Sequence, residues 1–127
     1  MRMTENDFKK RTKDVALRII KLVDSLPKIR SADVIGKQLL RSGTSIGANY
    51  RAACRGKSVA DVIHKLSIVE EEADEALYWM ELLVDAEIVP ERKLVSLSAE
   101  INEILSMIVA SIKSMRTRKT IDPKSKI

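Results

Sequence analysis

The sequence predicts an all-α protein: one domain of four long amphipathic helices in an up-down-up-down antiparallel bundle. Three observations carry this expectation. The 127 residues include only 4 Gly, 3 Pro and four aromatic side chains, too few turn formers and strand-favouring rings for a sandwich or barrel. Hydrophobic residues nevertheless make up 45% of the chain, enough to bury one sizeable core at this length. Finally, apolar residues recur at alternating spacings of three and four, which gathers them on one side of a helix.

The elements follow in order. Helix 1 is expected from about Thr4 to Leu26, with Phe8, Thr12, Val15, Ile19, Leu22 and Leu26 on its inner face and Pro27 ending it, since proline cannot continue the backbone ladder. Helix 2 is expected to start after Ser31 as N-cap, with Asp33 in its first turn, and to run to about Cys54. The stretch Ser42-Gly43-Thr44-Ser45-Ile46-Gly47 has poor helix propensity and is where a kink or break in this helix would fall. Gly56 reads as the C-terminal glycine that stops this helix. Ser58 opens helix 3, with Asp61 three residues on in a variant capping box. Its core stripe, Val59, Val62, Leu66, Val69, Ala73, Ala76, Met80 and Leu83, is the cleanest periodicity in the chain. Pro90 suits the first turn of helix 4, whose inner stripe is Leu94, Leu97, Ile101, Ile104, Ile108 and Met115. The bundle is thus expected over residues 1–116 and a basic, mobile tail over 117–127, where periodicity stops.

One cysteine, Cys54, excludes an internal disulfide framework and suits a reducing compartment. No continuous apolar run approaches the roughly 20 residues of a membrane span, and the first residues lack the apolar stretch of a signal peptide. A cytoplasmic protein with no membrane partner is the expectation. The net charge of +5 hides a segregation: residues 58–90 hold nine acids against Lys65 alone, while the segments on either side are basic. Such a balance favours polyanionic partners.

Chemistry-bearing motifs are scarce. Gly56-Lys57-Ser58 resembles the end of a phosphate-binding loop, but the glycine required five residues earlier is Arg51, and a helix rather than a strand precedes it. His64 is the only histidine; Asp61 lies three before it, without inward carboxylates on the other helices to complete a bundle metal site. The acids Glu70, Glu71, Glu72, Asp74 and Glu75 scatter around their helix. Cys54 has no histidine in its own constellation. No catalytic set, no metal site and no cofactor are expected, so the chain reads as a non-enzyme.

Two stripes stand out instead. Helix 2, taken as continuous, turns Ile35, Leu39, Ser42, Ile46, Asn49 and Ala53 inward and Lys37, Arg41, Thr44, Ala48, Arg51 and Arg55 outward. Four cations with no acid among them call for an external anion, since exposed helices normally interleave signs. On helix 3, His64, Ile68, Glu71, Glu75, Tyr78 and Leu82 repeat at heptad spacing opposite the core stripe, flanked by Trp79, the only tryptophan. A second apolar seam on one helix invites association. A basic face and an acidic-apolar face are different patches, so their contact is heterologous and closes into a ring.

The segment from Arg41 to Ser58, with Asp61-Val62-Ile63-His64-Lys65-Leu66-Ser67-Ile68 and Glu72-Ala73-Asp74-Glu75-Ala76-Leu77-Tyr78-Trp79, resembles the bacterial four helix bundle protein family, first noticed within intervening sequences of large-subunit ribosomal RNA genes. The resemblance spans Phe8 to about Met115. It implies a left-handed up-down bundle assembling as a ring-like homopentamer. It also implies a kinship with the accessory protein of diversity-generating retroelements, a basic pentamer thought to engage nucleic acid and a reverse transcriptase. No catalytic residues are carried over.

The expected function is nucleic-acid binding, RNA in the first place, by a homo-oligomer. Lys37, Arg41, Arg51 and Arg55 are the expected phosphate contacts, helped by Lys10, Lys13 and Lys21 of helix 1. The competing expectation is a protein-interaction scaffold in which the same cations are consumed by subunit pairing, with a reverse transcriptase or other protein as partner.

Overall fold

The computed structural model describes residues 3–121, with side chains through Arg118. It contains four long α-helices and, among the described residues, no strand: α1 (Glu5–Asp24), α2 (Arg30–Cys54), α3 (Val59–Asp85) and α4 (Val95–Ile121), with a short 3₁₀ turn over Glu91–Lys93. The arrangement is consistent with a four-helix bundle. Consecutive helices pack side by side, α2 on α3 most extensively, while the seam between α1 and α4 is thin. Residues 122–127, most of the expected basic tail, lie outside the described residues; α4 itself continues through the expected tail start at Thr117, whose Oγ1 donates to Lys113 O at 2.9 Å.

The core follows the apolar periodicity. Val15, Ile19, Leu39, Ile46, Val69, Leu83, Ile101 and Ile104 are fully enclosed. Buried Ala32, Ile63, Val89 and Ile112 were not among the expected core residues, whereas Leu22, Leu26, Ile35, Val59, Val62 and Met115 are only partly buried.

α2 is unbroken from Arg30 to Cys54. Its hydroxyls stay inside the helical frame: Ser42 Oγ donates to Gln38 O at 2.9 Å, Thr44 Oγ1 to Leu40 O at 2.6 Å and Ser45 Oγ to Arg41 O at 2.6 Å. The glycines let α1 approach. A Cβ on Gly43 would overlap the buried Ile19 Cδ1, and one on Gly47 would lie 3.0 Å from Thr12 Oγ1. Packing therefore overrides the poor helix propensity of this stretch, and the helix runs through it as expected.

Three boundaries differ from the sequence reading. Helix 2 begins one residue before Ser31: Ile29, extended and without a side-chain cap bond, is the N-cap, and Asp33 N donates to Ile29 O at 3.0 Å. Gly56 does not adopt a left-handed conformation. It supplies room, because a Cβ there would overlap Val62 Cγ2 and lie 3.1 Å from Ala53 O. Pro90 caps the 3₁₀ turn instead of entering α4, and that turn buries Leu94 before α4 starts.

Two helix starts are closed by side chains. Thr4 and Asp7 form a reciprocal capping box on α1, each bond 3.1 Å. Ser58 Oγ accepts from Asp61 N at 3.1 Å, but the Asp61 carboxylate accepts from Lys57 N, also at 3.1 Å, in place of the Ser58 N–H. At its other end α3 turns through Glu87, whose φ of 59° lies in the left-handed region.

The stretch Val95–Arg118 is, by length and composition, apolar enough to cross a membrane, holding an 18-residue window of mean hydropathy 1.4. It contains no long uninterrupted apolar run, because Ser, Asn and two Glu residues dilute it. In the fold this helix buries Leu97, Ile101, Ile104, Ile108 and Ile112 against its neighbours, and its Glu100 is paired with Arg11.

Candidate nucleic-acid interface

The basic stripe of α2 divides into engaged and unengaged cations. Lys37 pairs with Asp33 one turn earlier, Nζ to Oδ2 at 3.1 Å, both well exposed. Arg41 reaches across to α3, where Nη1 meets Glu72 Oε2 at 3.0 Å and Nη2 contacts Glu75 Oε1. Hydrogen bonding from Arg41 is the main reason the Glu75 carboxyl lies below its usual range, and the Arg41 guanidinium is correspondingly raised. Trp79 Nε1 also donates to Glu75 Oε1, at 3.3 Å. The sequence reading treated all four cations as unpaired; two of them find acids within the same chain. Arg51 and Arg55 are exposed and have no ion pair among the described residues.

On α1, Lys10 and Lys13 border a shallow groove shared with Asp7, Asp14, Leu17 and Glu100; Lys21 is exposed in the last turn. The α1 cation with the strongest structural role, Arg11, was not singled out. Its Nη2 and Nε grip Glu100 at 2.6 and 2.9 Å, and Nη2 lies 3.3 Å from Glu103. Glu100 is held below the usual carboxylate range, chiefly by these hydrogen bonds. Nothing in the sequence announces a pair 89 positions apart. The Arg41–Glu72 pair did have a signal: the two residues are nearly equidistant from the turn at Gly56.

The second stripe of α3 is mixed in its exposure. His64 and Glu71 are exposed, Ile68 and Leu82 are half-buried, and Tyr78 is 52% exposed. Tyr78 meets Trp79 edge-on, centroids 5.1 Å apart, and Trp79 packs against the core. Other exposed apolar side chains are Leu17 and Ile20 on α1, Val34 on α2 and Val95 and Val109 on α4.

Where the α1–α4 seam opens, a cleft of about 640 Å³ lies among Phe8, Tyr50, Cys54, Leu66, Met107 and Met115, with Glu5 and Arg118 also on its lining. Phe8 and Tyr50 stack at 4.5 Å between centroids. Burial raises the Tyr50 hydroxyl and is also the leading cause, before hydrogen bonding to Glu5, that pushes the Cys54 thiol up. A thiol held protonated is a poor nucleophile. Among the described residues no group of three or more His, Cys, Asp or Glu side chains could hold a metal ion.

Four long helices, an aliphatic core and cations at the surface define the class: an all-helical protein consistent with a four-helix bundle. The profile of the 23S rRNA-intervening sequence protein family matches residues 4–110, and the chain belongs to that family. A crystal structure of a protein of unknown function from the S23 ribosomal protein family of Bacteroides thetaiotaomicron VPI-5482 is similar throughout, with TM-score 0.81 and 40% identity over 87% of this chain and 99% of that one. No curated protein sequence matches the chain.

Proposed function

We propose that this protein is a non-enzymatic, self-associating, antiparallel up-down bundle of the cytoplasm that binds nucleic acid, RNA in the first place, through basic surfaces with little sequence preference. The observation that supports this most is the division of the α2 stripe: Arg51 and Arg55 remain exposed without acid partners among the described residues. Unengaged guanidinium groups suit phosphates, which they bind without reading sequence. Phe8 and Tyr50 pack on each other, and Trp79 is met edge-on by Tyr78 and tied to Glu75, so no row of free rings offers a stacking platform for bases. The antiparallel reading is supported by the order of the α1–α4 contacts, since Arg18 meets Ser96 while the earlier Arg11 meets the later Glu100.

The test is retention of a structured RNA over a salt series. Binding should weaken steeply and linearly in log salt and should be unchanged when the RNA sequence is shuffled with its pairing preserved. A Kd indifferent to salt rejects the reading. The family's name refers to 23S rRNA intervening sequences, so such an RNA is the first ligand to test. The alternative, an interaction scaffold, draws on the Arg41 contacts with Glu72 and Glu75, by which this face is already engaged in packing against α3. In that reading a closed ring, a pentamer, carries the partner on its outer surface.

A further inference from the structure

The two ends of the molecule differ in charge, and exposed cations outnumber acids at the end that holds the α2–α3 turn. The cleft fixes which segments meet there: Thr4 and Glu5 of α1, Cys54 at the close of α2, Val62 near the start of α3, and Ser114 and Arg118 of α4. The cations of this end include Arg51, Arg55, Lys57 and Lys65 around the α2–α3 turn and Lys113 and Arg118 on α4. All but the half-buried Lys65 are exposed, and none of them has an ion pair among the described residues.

Three acids, Glu5, Asp7 and Asp61, share this end with the six cations. Asp7 accepts from Thr4 N, and Asp61 accepts from Lys57 N, so both carboxylates serve backbone N–H groups at helix starts that have no partner within their helix. Glu5 lies on the cleft beside Cys54. The opposite end is mixed: Glu81, Asp85, Glu87 and Glu91 lie with Arg92 and Lys93 at the close of α3 and the 3₁₀ turn, and Asp24 and Asp33 with Lys21, Lys28 and Arg30 around the α1–α2 turn, all exposed. A polyanion approaching the molecule is therefore drawn more strongly to the first end.

We infer that nucleic acid is gripped end-on, its phosphates seated on Arg51, Arg55 and Lys57 at the α2–α3 turn, with Lys113 and Arg118 on the far side of the cleft. The inference rests on the reading that nucleic acid is bound at all. It displaces the outward face of α1, where Asp7 and Asp14 lie beside Lys10 and Lys13, and it leaves out Lys37 and Arg41, which have acids of their own. Duplex RNA is the fitting class, because it offers phosphates and 2′-hydroxyls without requiring splayed bases.

The test is a salt titration of binding to a fluorescently labelled RNA hairpin, followed by anisotropy, with two matched triple variants of the full chain. One is Arg51→Gln with Arg55→Gln and Lys57→Gln; the other is Lys10→Gln with Lys13→Gln and Lys21→Gln. Both remove three positive charges from exposed positions. The turn variant should flatten the slope of log K against log salt by about two to three, since each phosphate left without its cation lowers the slope by roughly one. The α1 variant should flatten it by less than about one. Equal losses, or a larger loss from the α1 set, overturn the end-on site and leave nucleic-acid binding standing. Failure of the wild type to bind the hairpin at low salt overturns both. Should the turn variant lose helicity by circular dichroism, the double variant Lys113→Gln with Arg118→Gln decides: a slope reduced by about one to two supports the site, and an unchanged slope rejects it.

Discussion

Arg11 and Glu100 show how much one partly buried ion pair contributes where a helical seam is thin. Their side chains are only about a fifth exposed, 21% and 23%, and they are the main polar tie between α1 and α4. Replacing Glu100 by Gln leaves Arg11 with a weaker acceptor and should cost about 1–2 kcal/mol at neutral pH, between the values of exposed and fully buried pairs. Because the folded-state carboxyl lies below its ordinary 4.5, its stabilisation is complete above that value and is lost as pH falls through the depressed one. Chemical denaturation at pH 7 and at successive steps below pH 4.5 should therefore show the wild-type advantage over Glu100→Gln shrinking with acid. Glu87 offers the reverse case. A non-glycine residue at φ 59° carries a backbone cost, so Glu87→Gly should raise the thermal midpoint by an amount equivalent to about 0.5–1 kcal/mol.

At the scale of elements, the close packing of α1 on α2 depends on the absence of a few side-chain atoms. Gly43→Ala gains helix propensity but drives a methyl into fully buried Ile19, and should destabilise by about 1–3 kcal/mol despite that gain. Gly36→Ala meets only Leu26 Cδ1 at 3.1 Å and Val23 Cγ1 at 3.3 Å, ends of partly buried side chains. It should be near neutral, and thermal melts of the two variants side by side make the comparison. The sequence held enough to find the helices, because heptad spacing and two caps are local signals. It could not show that Gly43 and Gly47 serve a neighbour, since close approach between helices has no local signature. The site was legible in the same uneven way. The basic stripe of α2 was visible as a pattern, but which of its cations stay unengaged depends on Glu72 and Glu75 arriving from α3. The α1–α4 pairing of Arg11 left no trace at all.

For the whole molecule, the apolar surface still facing solvent bears on assembly. Tyr78 is half exposed, whereas Leu82 is half-buried within its own chain, so the α3 seam is smaller than its spacing suggested. The variant Tyr78→Glu with Leu82→Glu should give folded particles of reduced mass by light scattering, from a wild type larger than one chain. A parallel variant, Val95→Glu with Val109→Glu on the sparsely charged outer side of α4, identifies which helix carries the contact. The thin seam also sets an order of opening. Amides of α4 should exchange with solvent before those of α2 and α3, whose mutual packing is the most extensive.

The axial asymmetry of charge has a further consequence if copies are related by rotation alone. Rotation about a common axis cannot invert a subunit, so where the helices run along that axis every copy turns its Arg51–Arg55–Lys57 end toward the same face of the ring. Such an assembly is a two-faced disc, strongly cationic on one side and of mixed charge on the other. Several weak grips then act on one strand at once, and each successive engagement draws on a local concentration set by the ring's geometry instead of the bulk. A single subunit would release an RNA that the disc retains, and dilution below the assembly threshold would end binding abruptly.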